Sequence, residues 1–216
     1  MTLWGRNAAH PGWPRPVGPL RVSGGAVRLR PARLRDGAVW SRVRQAERPN
    51  LEPWEPSAEL DWEERHAFSF WPAMYAGLRA EARKGRMLPY VIEVDGRFSG
   101  QLTIGNVSHG ALRSAWIGYW VSSEVTGAGV ATGALALGLD HCFGPVGLHR
   151  VEATVRPENH ASRRVLAKAG MREEGLLRRY LNVDGAWRDH LLMAITVEEV
   201  DGSVTAGLVR RGLAQW

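Results

Sequence analysis

Cysteine is all but missing from this 216-residue sequence. Cys142 stands alone, so neither a disulfide framework nor a thiolate-ligated metal site can be built, and no metal is expected. Lysine is nearly as scarce. Only Lys84 and Lys168 occur among 28 Lys and Arg residues, so the net charge of +6 rests on arginines that are scattered rather than run together. That scatter argues against direct nucleic-acid binding as the main activity, while docking onto a polyanionic assembly stays open. No apolar run approaches the ~18 residues that a spanning helix needs. The N-terminus carries Arg6, His10 and four prolines between Pro11 and Pro19, without the apolar centre of a secretory signal. These absences lead us to expect a reduced, cytoplasmic protein without a membrane partner. What remains, 44% hydrophobic and 23% charged residues over this length, suits one soluble α/β domain.

Hydrophobic period orders the chain. Residues 1–25 are rich in Pro and Gly and aperiodic, and read as an irregular arm before a domain spanning 26–200; residues 201–216 read as a tail. Val27–Arg30 alternates as a short strand, and Asp36 is placed to cap a helix running to about Glu47. A Pro-punctuated loop over 49–56 leads to a long helical stretch, 58–84, broken or kinked at Pro72. Strands follow at 90–94 and 98–104, joined by the hairpin signal Asp95-Gly96, and at 114–121. Helices at 129–143 and 161–169 alternate with a strand at 149–155, and strands at 175–182 and 187–197 meet at Asp184-Gly185. Strands in front and interleaved helices behind predict a mixed sheet flanked by helices.

Two segments bear on chemistry. The run Trp120 to Thr132 (WVSSEVTGAGVAT) reads as strand, glycine turn and helix. That order aims free backbone N–H groups and the positive end of a helix at one point, which suits a phosphate. A dinucleotide fingerprint would need glycine at Thr132, and no P-loop lysine follows, so neither of those motifs applies. The turn is equally compatible with a tight structural connection. The second segment, PENHASRRVL followed by Ala169-Gly170-Met171, puts Asn159 at a helix N-cap and Gly170 at its C-terminal stop, with Ser162 in the first turn.

Taken together, the two segments resemble the GNAT superfamily of acetyl-CoA-dependent N-acetyltransferases over about residues 26–197. Thr126, Gly127, Ala128, Gly129, Val130, Ala131 and Thr132 are similar to its pyrophosphate loop, Q/R-x-x-G-x-G/A, with Thr126 where Gln or Arg is usual. Asn159 to Ser162 is similar to its N-x-x-S helix. The segment NLEPWEP (50–56), together with Ile117-Gly118-Tyr119 and Trp187-Arg188-Asp189-His190, resembles the RimJ/RimL branch, whose RimJ-type enzymes acetylate the N-terminal alanine of ribosomal proteins. The resemblance implies a central splayed mixed sheet and acetyl-CoA as co-substrate. It also implies pairing of Trp120 and Val121 with the pantetheine arm, and transfer to a protein α-amine. Arg156, Arg163 and Arg164 are candidates for the adenosine phosphates. Trp54 and Glu55, stiffened by flanking prolines, are candidates for gripping the acceptor N-terminus, or else a packing anchor.

For the departing thiolate the resemblance points to Tyr180 as the proton donor, with Ser162 and water as rivals. The base is open. Related enzymes carry a glutamate where this chain has Trp116, leaving Glu152 and Asp189 as strand carboxylates. An α-amine of pKa ~7.8 is about 14% neutral at pH 7 against about 0.04% for a lysine at ~10.4, so an enzyme short of a base is better matched to an N-terminus. Two other readings remain: a GNAT enzyme for a small amine such as an aminoglycoside or polyamine, and a non-catalytic module that binds CoA or associates with RNA.

Overall fold

In the computed structural model, which describes residues 15–216, a single eight-stranded sheet carries the whole domain. Its strands are β1 (Val17–Val22), β2 (Gly25–Pro31), β3 (Leu88–Val94), β4 (Arg97–Ser108), β5 (Ser114–Val121), β6 (Arg150–Val155), β7 (Arg172–Val183) and β8 (Ala186–Thr196). They lie in the order β1-β2-β3-β4-β5-β6-β8-β7, antiparallel except for β5 beside β6. The mixed-sheet expectation holds, and the family-like splay is visible in the register. β6 pairs with β5 only at Ser114–Trp116, so Ile117 to Val121 present an unpaired strand edge.

The sheet has two unlike faces. One is covered by α5 (Val130–Phe143) and α6 (His160–Lys168). The former is apolar on nearly every side and buried accordingly, packing on Leu20, Leu102 and Ile117 in the main core. The other face carries α1 (Gly37–Ala46), α2 (Arg48–Leu51), α3 (Trp62–Arg65) and α4 (Trp71–Arg83). There Trp40, Trp62 and Trp71 are buried, and each indole N–H finds an oxygen: Gln101 Oε1 at 3.0 Å, the Arg44 carbonyl at 3.0 Å and the Leu34 carbonyl at 2.8 Å. Buried tryptophans are tolerated because those partners exist.

Several expectations change. The part of the 1–25 segment within the described residues is not an irregular arm; residues 1–14 lie outside them. Leu20 and Val22 are core residues of β1, and the following turn locks onto the glycine loop: Gly24 N–H and the Ser23 hydroxyl both donate to the Ala128 carbonyl, at 2.8 Å each. The 201–216 tail is α7 (Val204–Arg210), with Leu208 buried in the core and its first turn tied to Asp140 through Val204 N–H at 2.7 Å and Thr205 N–H at 3.1 Å. The 58–84 stretch is broken next to Pro72 as expected, with Pro72 in the first turn of α4, where its missing N–H costs nothing, but only α3 and a 3-10 turn, Phe68–Phe70, precede it rather than a long helix. The 49–56 loop is itself wound into α2 and a 3-10 turn, Glu52–Trp54. Asp36 does not cap α1 by its side chain; the Arg30 guanidinium takes it instead, at 2.8 and 3.0 Å.

Candidate active site

At the N-terminus of α5 the backbone alone makes an anion site. Gly129 is the N-cap with φ 79°, no side chain caps the helix, and Gly127 has φ 80°. Both angles lie in the left-handed region that glycine reaches without cost. The N–H groups of Val130, Ala131 and Thr132 find no acceptor among the described residues, since the first bond of the helix is Gly133 N–H to Gly129 O at 2.9 Å. A Cβ on Gly127 would meet nothing within 4 Å, so the loop opens onto free space. Such a cradle fits a pyrophosphate.

From this loop a cavity of about 1020 Å³ runs along the free edge of β5 and under the 50–56 segment. Of the expected cofactor residues, Trp120, Val121, Thr126, Gly127 and Gly129 line it, as do Val130, Ala131 and Thr132. Ala128 does not; its carbonyl is held by the β1–β2 turn. From α6 come Asn159, Ser162 and Arg164. Asn159 also acts as the N-cap, its Oδ1 accepting from Ser162 N–H at 3.0 Å. Lys168 joins Arg164 at this end, whereas Arg163 bonds the Pro157 carbonyl at 3.1 Å and does not line the cavity.

Ser162 and Tyr180 part company. The Ser162 hydroxyl lies 3.1 Å from the Tyr119 hydroxyl, and both residues line the cavity. Burial pushes the Tyr119 phenol well above its usual value, against a smaller opposing effect of Ser162, so it stays protonated at neutral pH. Tyr180 is 48% exposed, packs edge-on against His190 with centroids 5.6 Å apart, and is not among the cavity residues. Glu152 sits beside Trp116 in register, but its carboxylate is engaged by Arg150 at 2.7 Å, and Asp189 accepts from Arg179 N–H at 2.7 Å. Neither carboxylate residue lines the cavity.

The acceptor end is a chamber of aromatic rings and carboxylates. Its floor is the β4/β5 face, where Gln101 pairs with Trp120, Thr103 with Gly118, and Gly105 with Trp116. Gly105 lets the Trp116 ring lie flat on the sheet, since a Cβ there would stand 2.2 Å from the indole. Trp54 and Glu55 both line the chamber. Arg156 stacks over Trp54 at 5.3 Å and bonds the Pro53 carbonyl at 3.1 Å, fastening the loop to the turn after β6. Glu55 is gripped by Arg44 at 2.5 and 2.6 Å. The Arg44 guanidinium is itself sandwiched between Trp62 and Trp120, 4.7 and 5.0 Å from their centroids. It also donates to His66 Nε2 at 2.6 Å; His66 Nδ1 therefore carries the proton given to the Trp62 carbonyl at 2.9 Å. Burial, with the Arg44 charge beside it, lowers the His66 pKa to about 3.

Glu47 is the carboxylate that sequence reasoning missed. It lines the cavity yet is only 5% exposed. Its Oε1 accepts from the Ser122 hydroxyl at 2.9 Å and from the Ser123 N–H and hydroxyl at 2.8 and 2.7 Å, while Asn50 donates to Oε2 at 2.9 Å. Burial by itself would raise its pKa, but these bonds outweigh it and hold the group below the usual carboxylate range. It is therefore ionised and held by neutral donors. No signal in the sequence marks it, because the serines that bind it are some 75 residues away.

A model of the acetyltransferase (GNAT) domain family matches residues 26–172. The chain belongs to the GNAT acetyltransferase family. Among structures, this GNAT chain is similar to Mycobacterium smegmatis RimJ in complex with CoA-disulfide, at 68% identity and TM-score 0.95, covering 96% of this chain and 99% of that one. It is 29% identical to the [Ribosomal protein uS5]-alanine N-acetyltransferase of Escherichia coli (strain K12) over 152 residues, 69% of this chain and 76% of the relative. It is 41% identical to the "Probable N-acetyltransferase YjcK" of Bacillus subtilis (strain 168) over 101 residues, 47% of this chain and 56% of YjcK, so the match spans little more than half of that relative. The GNAT domain carries no group of three or more potential metal ligands among the described residues, and no helix there is long and apolar enough to cross a membrane.

Proposed function

We propose that the protein transfers acetyl from acetyl-CoA to the free N-terminal α-amine of a protein, a ribosomal protein beginning with alanine, in the cytoplasm. One observation carries the reading: a single cavity joins the N–H cradle of α5 to an aromatic, acidic chamber beneath the 50–56 segment. The similarity to proteins named RimJ and uS5-alanine N-acetyltransferase supports it.

In this reading the Val130, Ala131 and Thr132 N–H groups bind the pyrophosphate, and the unpaired edge of β5 near Val121 pairs with the pantetheine amides and holds the thioester carbonyl. The neutral amine forms the C–N bond as the C–S bond breaks. Ser162 donates the proton that the departing thiolate takes up, resupplied by Tyr119 behind it, and the amine sheds its own proton to solvent. Glu47 provides the negative charge that draws an ammonium into the chamber, Glu55 being neutralised by Arg44.

The test is competition, followed by mass spectrometry, between a peptide with a free N-terminal alanine and the same peptide blocked there and carrying an internal lysine. The free-alanine peptide should be acetylated faster. Its rate at limiting concentration should rise with pH and level off near the α-amine pKa of ~7.7–8.0. Faster reaction of the lysine peptide, or a rate still climbing past pH 9, refutes the N-terminal assignment.

A further inference from the structure

Gln101 occupies the chamber floor in an orientation that two tryptophans dictate. Its Oε1 accepts from the Trp40 indole N–H at 3.0 Å and from the Trp120 indole N–H at 3.2 Å. A carbonyl oxygen has two lone pairs, and both are filled. Reversing the amide would set its own N–H groups against two indole donors, so the network fixes which end faces which way. The Nε2 group is left with no hydrogen-bond partner among the described residues, on a side chain that lines the cavity. Asn50 Nδ2 is committed to Glu47, and the two terminal nitrogens of Arg44 to Glu55 and His66.

Such a group offers N–H donors and no acceptor. It has nothing to give an ammonium; it matches an oxygen. We infer that Gln101 is a specificity-determining residue whose amide N–H binds a carbonyl oxygen close to the acceptor amine, the first peptide carbonyl of an N-terminal segment. The inference rests on the peptide N-terminus reading above and deepens it. The same amide disfavours a protonated polyamine, which has no acceptor atom and leaves the donor desolvated and unpaired.

The test uses the intact protein, wild type and Gln101→Glu, with two peptides. One begins with free alanine; the other replaces its first peptide bond with an (E)-alkene, which keeps the shape and removes the carbonyl. The substitution retains an oxygen for both indoles and exchanges the donor for an acceptor, and the carboxylate charge it adds is met alike by both peptides, which share the same N-terminal amine. With rates corrected for each amine's own pKa, wild type should prefer the amide peptide by about tenfold in kcat/KM. In Gln101→Glu that preference should vanish, while the KM for acetyl-CoA and the thermal melting curve hold steady. Equal use of the two peptides by wild type overturns the assignment, and that arm decides even if the variant fails to fold. A preference unchanged in a folded variant overturns it too. If wild type acetylates spermidine and neither peptide, the peptide reading fails and this assignment falls with it; if the amide peptide is acetylated but no better than the alkene, only the role of Gln101 falls.

Discussion

The two faces of the sheet recognise by different means. On the α5/α6 side the site is built from main chain: three free N–H groups, two left-handed glycines and an unpaired strand edge. On the α1–α4 side it is built from side chains that hold one another, with Arg44 between two indoles, Glu55 on Arg44, and Gln101 under Trp40 and Trp120. A backbone site tolerates change at most positions and fails at its glycines, whereas a side-chain site fails through its partners. The first kind suits a ligand shared across a family, the second one that differs between members.

The sharpest way to break the backbone side is Gly127→Glu. The new side chain would enter open space and set a carboxylate against the phosphates, at a backbone cost of roughly 1–2 kcal/mol for a non-glycine residue at this φ. Acetyl-CoA affinity measured by calorimetry should fall at least a hundredfold, with the protein still folded. Unchanged affinity would remove the loop from the cofactor site. Next comes the boundary between the faces. Ser162→Ala should lower kcat by about 10²-fold with acetyl-CoA affinity retained, while Tyr180→Phe should stay near wild type. The opposite result returns the acid role to Tyr180.

The smallest effect belongs to the side-chain network. With its folded pKa lowered to about 3 from 6.5, His66 binds fewer protons folded than unfolded below pH 6.5. Its contribution is therefore complete above about pH 6.5 and is lost progressively as pH falls toward 3. His66→Gln can still accept from Arg44 without titrating. Its melting temperature should lose several degrees less than wild type between pH 7 and pH 4.5. Parallel losses would place the acid sensitivity elsewhere.

This contrast also explains what could be read from the chain. Alternation at 90–94, 98–104 and 114–121 and the apolar run of α5 are local signals, and those elements lie where expected within a residue or two, β4 continuing further to Ser108. The glycine loop was legible for the same reason, being contiguous. β1 was not, because its prolines and glycines read as irregular while the burial of Leu20 and Val22 comes from α5, more than a hundred residues on. Glu47, Tyr119 and Gln101 escaped because each owes its part to a partner distant in sequence: Ser123, Ser162 and Trp40. Tyr180 drew attention through the family resemblance alone, and the bulge between Leu177 and Leu181 breaks the register of β7 just there.

The turn after β1 steadies the Ala128 carbonyl, and β1 is itself closed on its outer side by Gln215, which exchanges both backbone hydrogen bonds with Arg21 at 2.9 and 2.8 Å. The phosphate loop is thus linked, through β1, to a stretch of chain almost ninety residues further on, and a change near Gln215 reaches the cofactor end of the cavity only through two relayed backbone contacts.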